Sequence, residues 1–301
     1  METLAVFLEA VIRASLPLAL AAIGEMLCER SGFVNVGLEG SMIAGALAAA
    51  AGAISGGTAA GYASGALAGA AVGGVLAAFA IGLRTNQVLT GTAVTAGALG
   101  ITSLLAQAIF GATGAALSVP MSPPVAIPLL ANVPLLGRAL FAQPMITYVV
   151  FALVPLTWWW LSRTRPGLAL RATGENPEAV RASGPSPARL QAAAVITGSA
   201  LGGLGGATLV LAQAGTFAEG MTAGRGFIAL AVVALGRWHP MGVAGAALLF
   251  GATSSLQYLL QALGTDVPYQ AFLVLPYVLT LAVLAATGRA GEPAWLGRPL
   301  P

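Results

Sequence analysis

Apolar runs of roughly 20 residues recur along the chain, at about 4–27, 33–53, 60–83, 88–110, 143–162, 190–213, 240–262 and 268–287, with a shorter run at 226–236. A helix of about 20 residues crosses the roughly 30 Å hydrocarbon core of a bilayer, so the pattern predicts transmembrane helices. The expected fold is an all-α polytopic membrane protein of about 8–9 apolar helical segments, forming a single membrane domain over residues 1–301. Two stretches break the pattern. Residues 226–236 are too short to cross unaided and read as half of a broken helix or a re-entrant element. Residues 28–40, Cys-Glu-Arg-Ser-Gly-Phe-Val-Asn-Val-Gly-Leu-Glu-Gly, are too polar and glycine-rich for lipid contact. Irregular backbone at membrane depth survives only where protein buries it or it lines a cavity, as in the interrupted helices of transporters.

Between the apolar runs lies one polar island, residues 163–189, with seven of the 23 charged residues. It carries a helix signal of its own. Asn176 can cap, Pro177 suits the first helical position, Glu178 falls in the first turn, and Gly184-Pro185 ends the helix. The resulting helix has about seven residues, below the roughly 12–15 that an isolated helix needs in water. It is useful if something docks on it; otherwise the island is an ordinary polar loop with a helical turn.

Composition narrows the chemistry. Hydrophobic residues make up 57% and charged residues 8%, against about 25% charged in soluble proteins, and the mean hydropathy is +0.88. All 13 basic residues are arginine, so no G-x-x-x-x-G-K-[ST] phosphate loop exists and the chain carries no P-loop ATPase site of its own. A single His (His239) and a single Cys (Cys28) exclude a zinc cluster or a disulfide within the chain. His239, in Arg237-Trp238-His239-Pro240, reads as interfacial, and Cys28 as an inert small residue. No arginine run is interleaved with aromatics, so no nucleic acid is expected as a partner.

The arginines also orient the spans. With 163–189 in the cytoplasm, Arg30, Arg84, Arg237, Arg289 and Arg298 fall on the same side, ten of the 13, while Arg138 and Arg225 lie outside. This positive-inside bias places the N-terminus outside and the C-terminus inside, and Trp158 to Trp160, Trp238 and Trp295 fall at the inner interface. Met1-Glu2-Thr3 lacks the positive region of a signal peptide, so the first span is expected to be retained. Gly57, Gly61, Gly65, Gly69 and Gly73 recur every four residues, as do Gly198, Gly202 and Gly206. Such stripes let neighbouring backbones approach closely and predict internal packing faces. Within the apolar runs, Glu9 and Arg13 are spaced to pair on one helix face. Glu25 and Glu29 mark either an ion path or paired structural charges at a helix end, and the second reading is preferred.

Four stretches then resemble one family. Arg165-Pro166-Gly167-Leu168, Arg171-Ala172-Thr173-Gly174-Glu175-Asn176-Pro177-Glu178-Ala179 and Ala182-Ser183-Gly184 together resemble the cytoplasmic coupling loop of ABC importer permeases of the ribose, branched-chain amino acid and nucleoside branch. Glu29 to Gly40, Thr85-Asn86-Gln87-Val88 and Met221 to Ala231 look like its nucleoside-type members. The resemblance implies that Gly174, Glu175, Asn176, Pro177, Glu178, Ala179, Arg181 and Gly184 couple to a separate cytoplasmic ATP-binding subunit. That partner holds ATP and Mg; this chain binds no cofactor and is not an enzyme. The same resemblance implies a second, related permease subunit, an extracytoplasmic solute-binding lipoprotein, and a place in the plasma membrane of a prokaryote. The chain departs from the family in having Ala at several positions expected to be bulky, including much of 44–51 and 191–194.

Helix interruption and polarity nominate Asn35, Glu39, Asn86, Gln87, Gln213 and Phe217 as lining the translocation path. Amides that both give and accept hydrogen bonds, with an aromatic face, suit a small neutral polar solute. Glu39 can bind a solute hydroxyl or cap a helix starting near Gly40, and the cap is preferred. The expected function is an ATP-driven importer subunit for a nucleoside. A simple sugar or other small solute carried by the same machine remains open, as does a secondary transporter or channel without an ATPase.

Overall fold

Small residues decide how these helices meet. The computed structural model describes residues 2–111, 118–128, 130–133, 136–262, 274, 278, 285 and 291–300; the expected span at 268–287 lies largely outside them. Helix α1 (Glu2–Arg30) is central, with Leu20, Ile23 and Met26 fully buried. It packs against α8 (Pro187–Thr208), α9 (Arg225–Leu235) and α10 (Pro240–Ala262). Glu9 and Arg13 form the expected pair at 2.7 Å.

Helix α2 (Leu38–Ala77) is a hairpin of two limbs rather than one rod, since Gly56 and Gly57 leave helical geometry. Gly57, at φ 77° and ψ −179°, occupies a region essentially reserved for glycine. It therefore makes the turn and does not join the packing stripe. The other four glycines do. A Cβ at Gly65 would stand 2.8 Å from Ala207 Cβ and 3.1 Å from Gly45 O, and one at Gly61 would stand 2.9 Å from Ala49 O. Gly69 and Gly73 abut Ser199 and Gly203 or Val195 on α8. From the α8 side, Gly198 faces Gly24 and Cys28, Gly202 faces Leu38, and Gly206 faces Met42. Both stripes are thus internal seams.

After a π-helical turn (Ala78–Gly82), α3 (Gln87–Phe110) packs chiefly on α2 among the described residues. Its outer face, including Ile101, Leu104 and Ile109, is exposed, as a lipid-facing helix requires. At one end of the bundle, β1 (Pro124–Ala126) pairs antiparallel with β2 (Ala142–Pro144), around the short α4 (Leu136–Phe141). These two strands are a small departure from the all-α expectation. Helix α5 (Met145–Arg163) returns to the opposite end, called basal here, where α6 (Arg165–Glu175) and α7 (Pro177–Ala182) cross the helix ends. The polar island is thus mostly helical, and α6 was missed. Its signal was in the sequence, because the Thr164 side chain caps it by accepting from Gly167 N and Pro166 follows in the first turn.

The seams make a sharp comparison possible. Gly69→Leu should destabilise the folded subunit by about 1–3 kcal/mol or more through overpacking. Gly74→Leu, on the open side of the same limb with nothing within 4 Å of its added Cβ, should leave stability unchanged. Thermal melting of detergent-purified protein, followed by size-exclusion chromatography, distinguishes the two.

Candidate solute path and coupling site

Two broken elements meet inside the bundle. α1 ends at Arg30, and residues 31–37 turn back before α2 starts. Asn35 lies against Ser199, donating from Nδ2 to Ser199 Oγ at 3.0 Å. Counted from Pro187, Ser199 is about 18 Å along the α8 axis at ~1.5 Å per residue. α2 therefore starts at mid-depth instead of at a membrane surface. The second break follows the π-helical turn at Leu209–Ala214. The chain re-enters and α9 begins beside Glu39, close enough that a Cβ on Gly226 would stand 2.5 Å from Glu39 Cα. With 11 residues, α9 is about 16 Å long, half a span, and runs to the basal end.

Glu39 joins the breaks. Its Oε1 accepts from Thr222 Oγ at 2.5 Å and Gly224 N at 2.9 Å, and its Oε2 accepts from Gly226 N at 2.6 Å. A carboxylate against the first amides of a helix satisfies orphan donors and complements the dipole. The expected cap on the helix near Gly40 is not formed: that helix starts at Leu38, and Glu39 caps α9 instead. Arg225, expected outside, stands at the inner start of α9, where Nη1 donates to Met221 O and Thr222 O. Its carbonyl partners and its place beside Glu39 explain why an arginine is tolerated there.

The other nominated path residues separate. Asn86 is exposed and caps α3, accepting from Val88 N and Leu89 N. Gln87 is buried and straps the basal end, accepting from Val34 N and donating to Arg298 O. At the far end Gln213 Nε2 donates to Arg13 O at 2.5 Å, and Phe217, like Tyr62, Phe110 and Met221, packs against the buried cluster that includes Val119, Val210 and Leu211. Only Asn35 and Glu39 share the region of the breaks. Near them stands Glu25, whose Oε1 accepts from Asn35 N at 2.9 Å. Glu25 Oε2 and Asn35 Oδ1 are buried acceptors with no hydrogen-bond partner among the described residues. Glu25, Ser199 and Thr222 were not nominated; the one sequence signal was a carboxylate within an apolar run. Glu29 anchors the basal turn by accepting from Trp238 Nε1. Cys28 is buried and donates to Ala194 O.

At the basal end, Asn176 Oδ1 accepts from Ala179 N at 3.1 Å and starts α7 as expected. Helix α7 has six residues, Ser183 follows as its C-cap, and Gly184 turns at φ 107°. Pro177 and Val180 are buried and anchor the helix, while Glu175, Asn176, Glu178, Ala179 and Arg181 are exposed. Gly174 is not on that exposed face. It is buried against Arg30 O and Gly32 N, so α6 rests directly on the α1–α2 break. Trp295 N donates to Gly174 O and Gly297 N to Gly32 O, so residues 291–300 cover the same junction.

The family model for the branched-chain amino acid transport system permease component matches residues 7–284. The chain belongs to this permease family. It is 35% identical to the guanosine ABC transporter permease protein NupQ of Bacillus subtilis over 99% of this chain and 97% of that protein. It is 33% identical to the nucleoside ABC transporter permease protein NupC of Lactococcus lactis, over 94% and 92%. A putative glucose ABC transporter permease protein, TsgC13 of Haloferax volcanii, is 33% identical over 85% and 78%. This permease is a transmembrane subunit of an ABC importer and a multi-pass protein of a prokaryotic plasma membrane. The alternative of a transporter without an ATPase does not apply to it.

The Glu39 cap yields a direct test. Glu39→Gln replaces one acceptor oxygen by an NH2 group, which then faces a backbone N–H or the Thr222 hydroxyl. The lost charge-assisted bonds, each worth about 1.5–3 kcal/mol, should lower the melting temperature and leave the 222–226 backbone more open to amide hydrogen exchange. Asn86→Ala should cost only about 1 kcal/mol, as for a surface helix cap.

Proposed function

We propose that this permease imports nucleosides, with the 163–189 loop in the cytoplasm, the N-terminus outside, and α7 seated on a separate ATP-hydrolysing subunit. The observation that carries the substrate is the near full-length likeness to two relatives named for guanosine and nucleoside transport. The interior agrees with a neutral solute. The mid-depth end of α9, which would otherwise attract an anionic group, is already filled by Glu39. Asn35 Oδ1 and Glu25 Oε2 remain as acceptors. When the break opens, they suit the hydroxyl and amine donors of a ribosyl base. A sugar is the second reading, favoured by the relative named for glucose transport, because sugar hydroxyls use the same acceptors.

Coupling follows from the basal geometry. The exposed side of α7, with Glu178, Ala179 and Arg181, is the surface offered to the ATPase, while Pro177 and Val180 hold it to the bundle. Movement of α7 passes through α6 and Gly174 to the 31–37 segment, which carries Asn35. The second permease subunit and the solute-binding lipoprotein complete the assembly, and ATP with Mg2+ belongs to the partner ATPase.

Three measurements test this reading. In cells expressing the whole transporter, uptake of labelled guanosine should resist a large excess of glucose and yield to unlabelled inosine. Competition by glucose alone would replace the nucleoside by a sugar. Glu178→Arg should cut uptake about tenfold or more while the binding protein keeps its affinity, since a two-turn helix has few anchors. For orientation, cysteine at Ser183 in a Cys28→Ser background should resist a membrane-impermeant thiol reagent in intact cells, and cysteine at Ala218 should react. The reverse labelling pattern would invert the topology.

A further inference from the structure

Beside the coupling helices, at the basal end, a cavity of about 180 Å³ is lined by Arg30, Trp158, Leu161, Ser162, Arg171, Trp238, His239 and Pro240. Four elements build it: the ends of α1 and α5, the middle of α6, and the turn between α9 and α10. Its wall is held firmly. Arg237 and Trp238 both have φ near 54°, a costly conformation for non-glycine residues. Trp238 is fixed there from two sides, by its Nε1 donating to Glu29 and by its carbonyl accepting from Arg30 Nε at 2.9 Å.

The lining of this cavity holds two arginines and no carboxylate, while Glu175, outside the lining, offsets part of the charge on Arg30. Among the described residues, neither Arg30 nor Arg171 has a carboxylate within salt-bridge distance, and the Arg171 side chain makes no hydrogen bond. Two guanidinium groups in one pocket repel each other unless an anion lies between them, and phosphate is the anion their planar forks match best. The surroundings then select the source of that phosphate. Trp158, which lines the cavity, is 41% exposed, and Met241, next to the lining residue Pro240, is 51% exposed, so the cavity opens beside an apolar rim at the end of a membrane-crossing helix. Tryptophan and arginine together at that level mark the headgroup region.

We propose that this cavity binds the phosphate of an anionic phospholipid, with the acyl chains leaving past Met241 and the exposed edge of Trp158. Arg30 and Arg171 together carry two positive charges, so a headgroup without a compensating amine, such as phosphatidylglycerol, is preferred over a zwitterionic one. Trp158 packs on the glycerol region, and Ser162 and His239 supply hydrogen-bonding groups at the rim. A free phosphate ion would use the arginines alone and gain nothing from the apolar flank.

The test uses the complete transporter, purified in detergent and delipidated, with bound lipids counted by native mass spectrometry. Phosphatidylglycerol, phosphatidylethanolamine and phosphatidylcholine are offered separately, with and without millimolar inorganic phosphate. The wild type should retain phosphatidylglycerol at least tenfold better than phosphatidylcholine, unaffected by phosphate. Arg171→Gln should lose that preference; the side chain of this exposed residue carries no hydrogen bond among the described residues, so the fold is preserved. Arg30→Gln should lose it too, and melting curves identify any additional loss through its bond to Trp238. Equal retention of phosphatidylglycerol by wild type and Arg171→Gln would overturn the site. Displacement of the lipid by inorganic phosphate would overturn its lipid specificity. Crosslinking of a photoreactive residue at Ser162 to the ATPase instead of to lipid would assign the arginines to the protein partner.

Discussion

A helix that stops inside a membrane protein must have its backbone donors satisfied there, and the interior of this permease is arranged around that requirement. The half-helix α9 starts beside the break that precedes α2, and the Glu39 carboxylate from α2 closes both by binding Thr222, Gly224 and Gly226. Its oxygens leave the first amides of α9 with a charged partner where water is excluded. The position of Asn35 follows from the same constraint, because the non-helical 31–37 segment must lead from Arg30 to the level at which Glu39 meets α9. The break is therefore fixed at one end by a charge and at the other by α6, through Gly174.

Close packing sets the frame around it. Glycines on α2 and α8 bring backbone against backbone, and alanines such as Ala49, Ala53 and Ala207 extend the same seam. Without hydrophobic driving force between helices in lipid, such contact, with its many small dispersion terms, holds transmembrane helices together. It also makes the frame intolerant of added volume, whereas the exposed faces of α3 and of the second limb of α2 accept it. One chain thus combines a stiff interior seam with outer faces whose only requirement is to be apolar.

How much of this was legible depended on whether the signal was local. The 20-residue apolar runs up to residue 262, the Glu9–Arg13 pair, the four-residue glycine period and the Asn176-Pro177 helix start all arise from neighbours along one helix, and each of these has its counterpart among the described residues. Gly57 was misread because a turn glycine falls in register with the packing stripe, and nothing in spacing separates the two. Asn86 and Gln87 were read as path residues because polarity beside an apolar run looks alike whether it serves a solute, a helix cap or a strap; only tertiary partners such as Val34 and Arg298 distinguish them. The partnership of Glu39 with residues 222–226 and that of Glu29 with Trp238 join positions roughly 200 residues apart and leave no trace in either local stretch. The α6 cap at Thr164 was readable but overshadowed by the stronger start signal at Asn176.

Helix α6 also has a mechanical meaning. It is pinned near one end, where Gly167 lies under the Trp160 carbonyl, and it bears on the Arg30–Gly32 backbone near the other through Gly174. Between those points the arm is about 10 Å long, at ~1.5 Å per residue. A tilt of roughly 6° about the Gly167 fulcrum carries Gly174 by about 1 Å on that same arm, and the absence of side chains at both bearings leaves no soft material to absorb the motion. A small rotation received at the membrane surface is thereby delivered as a displacement to the only stretch of backbone between α1 and α2 that no helix stiffens.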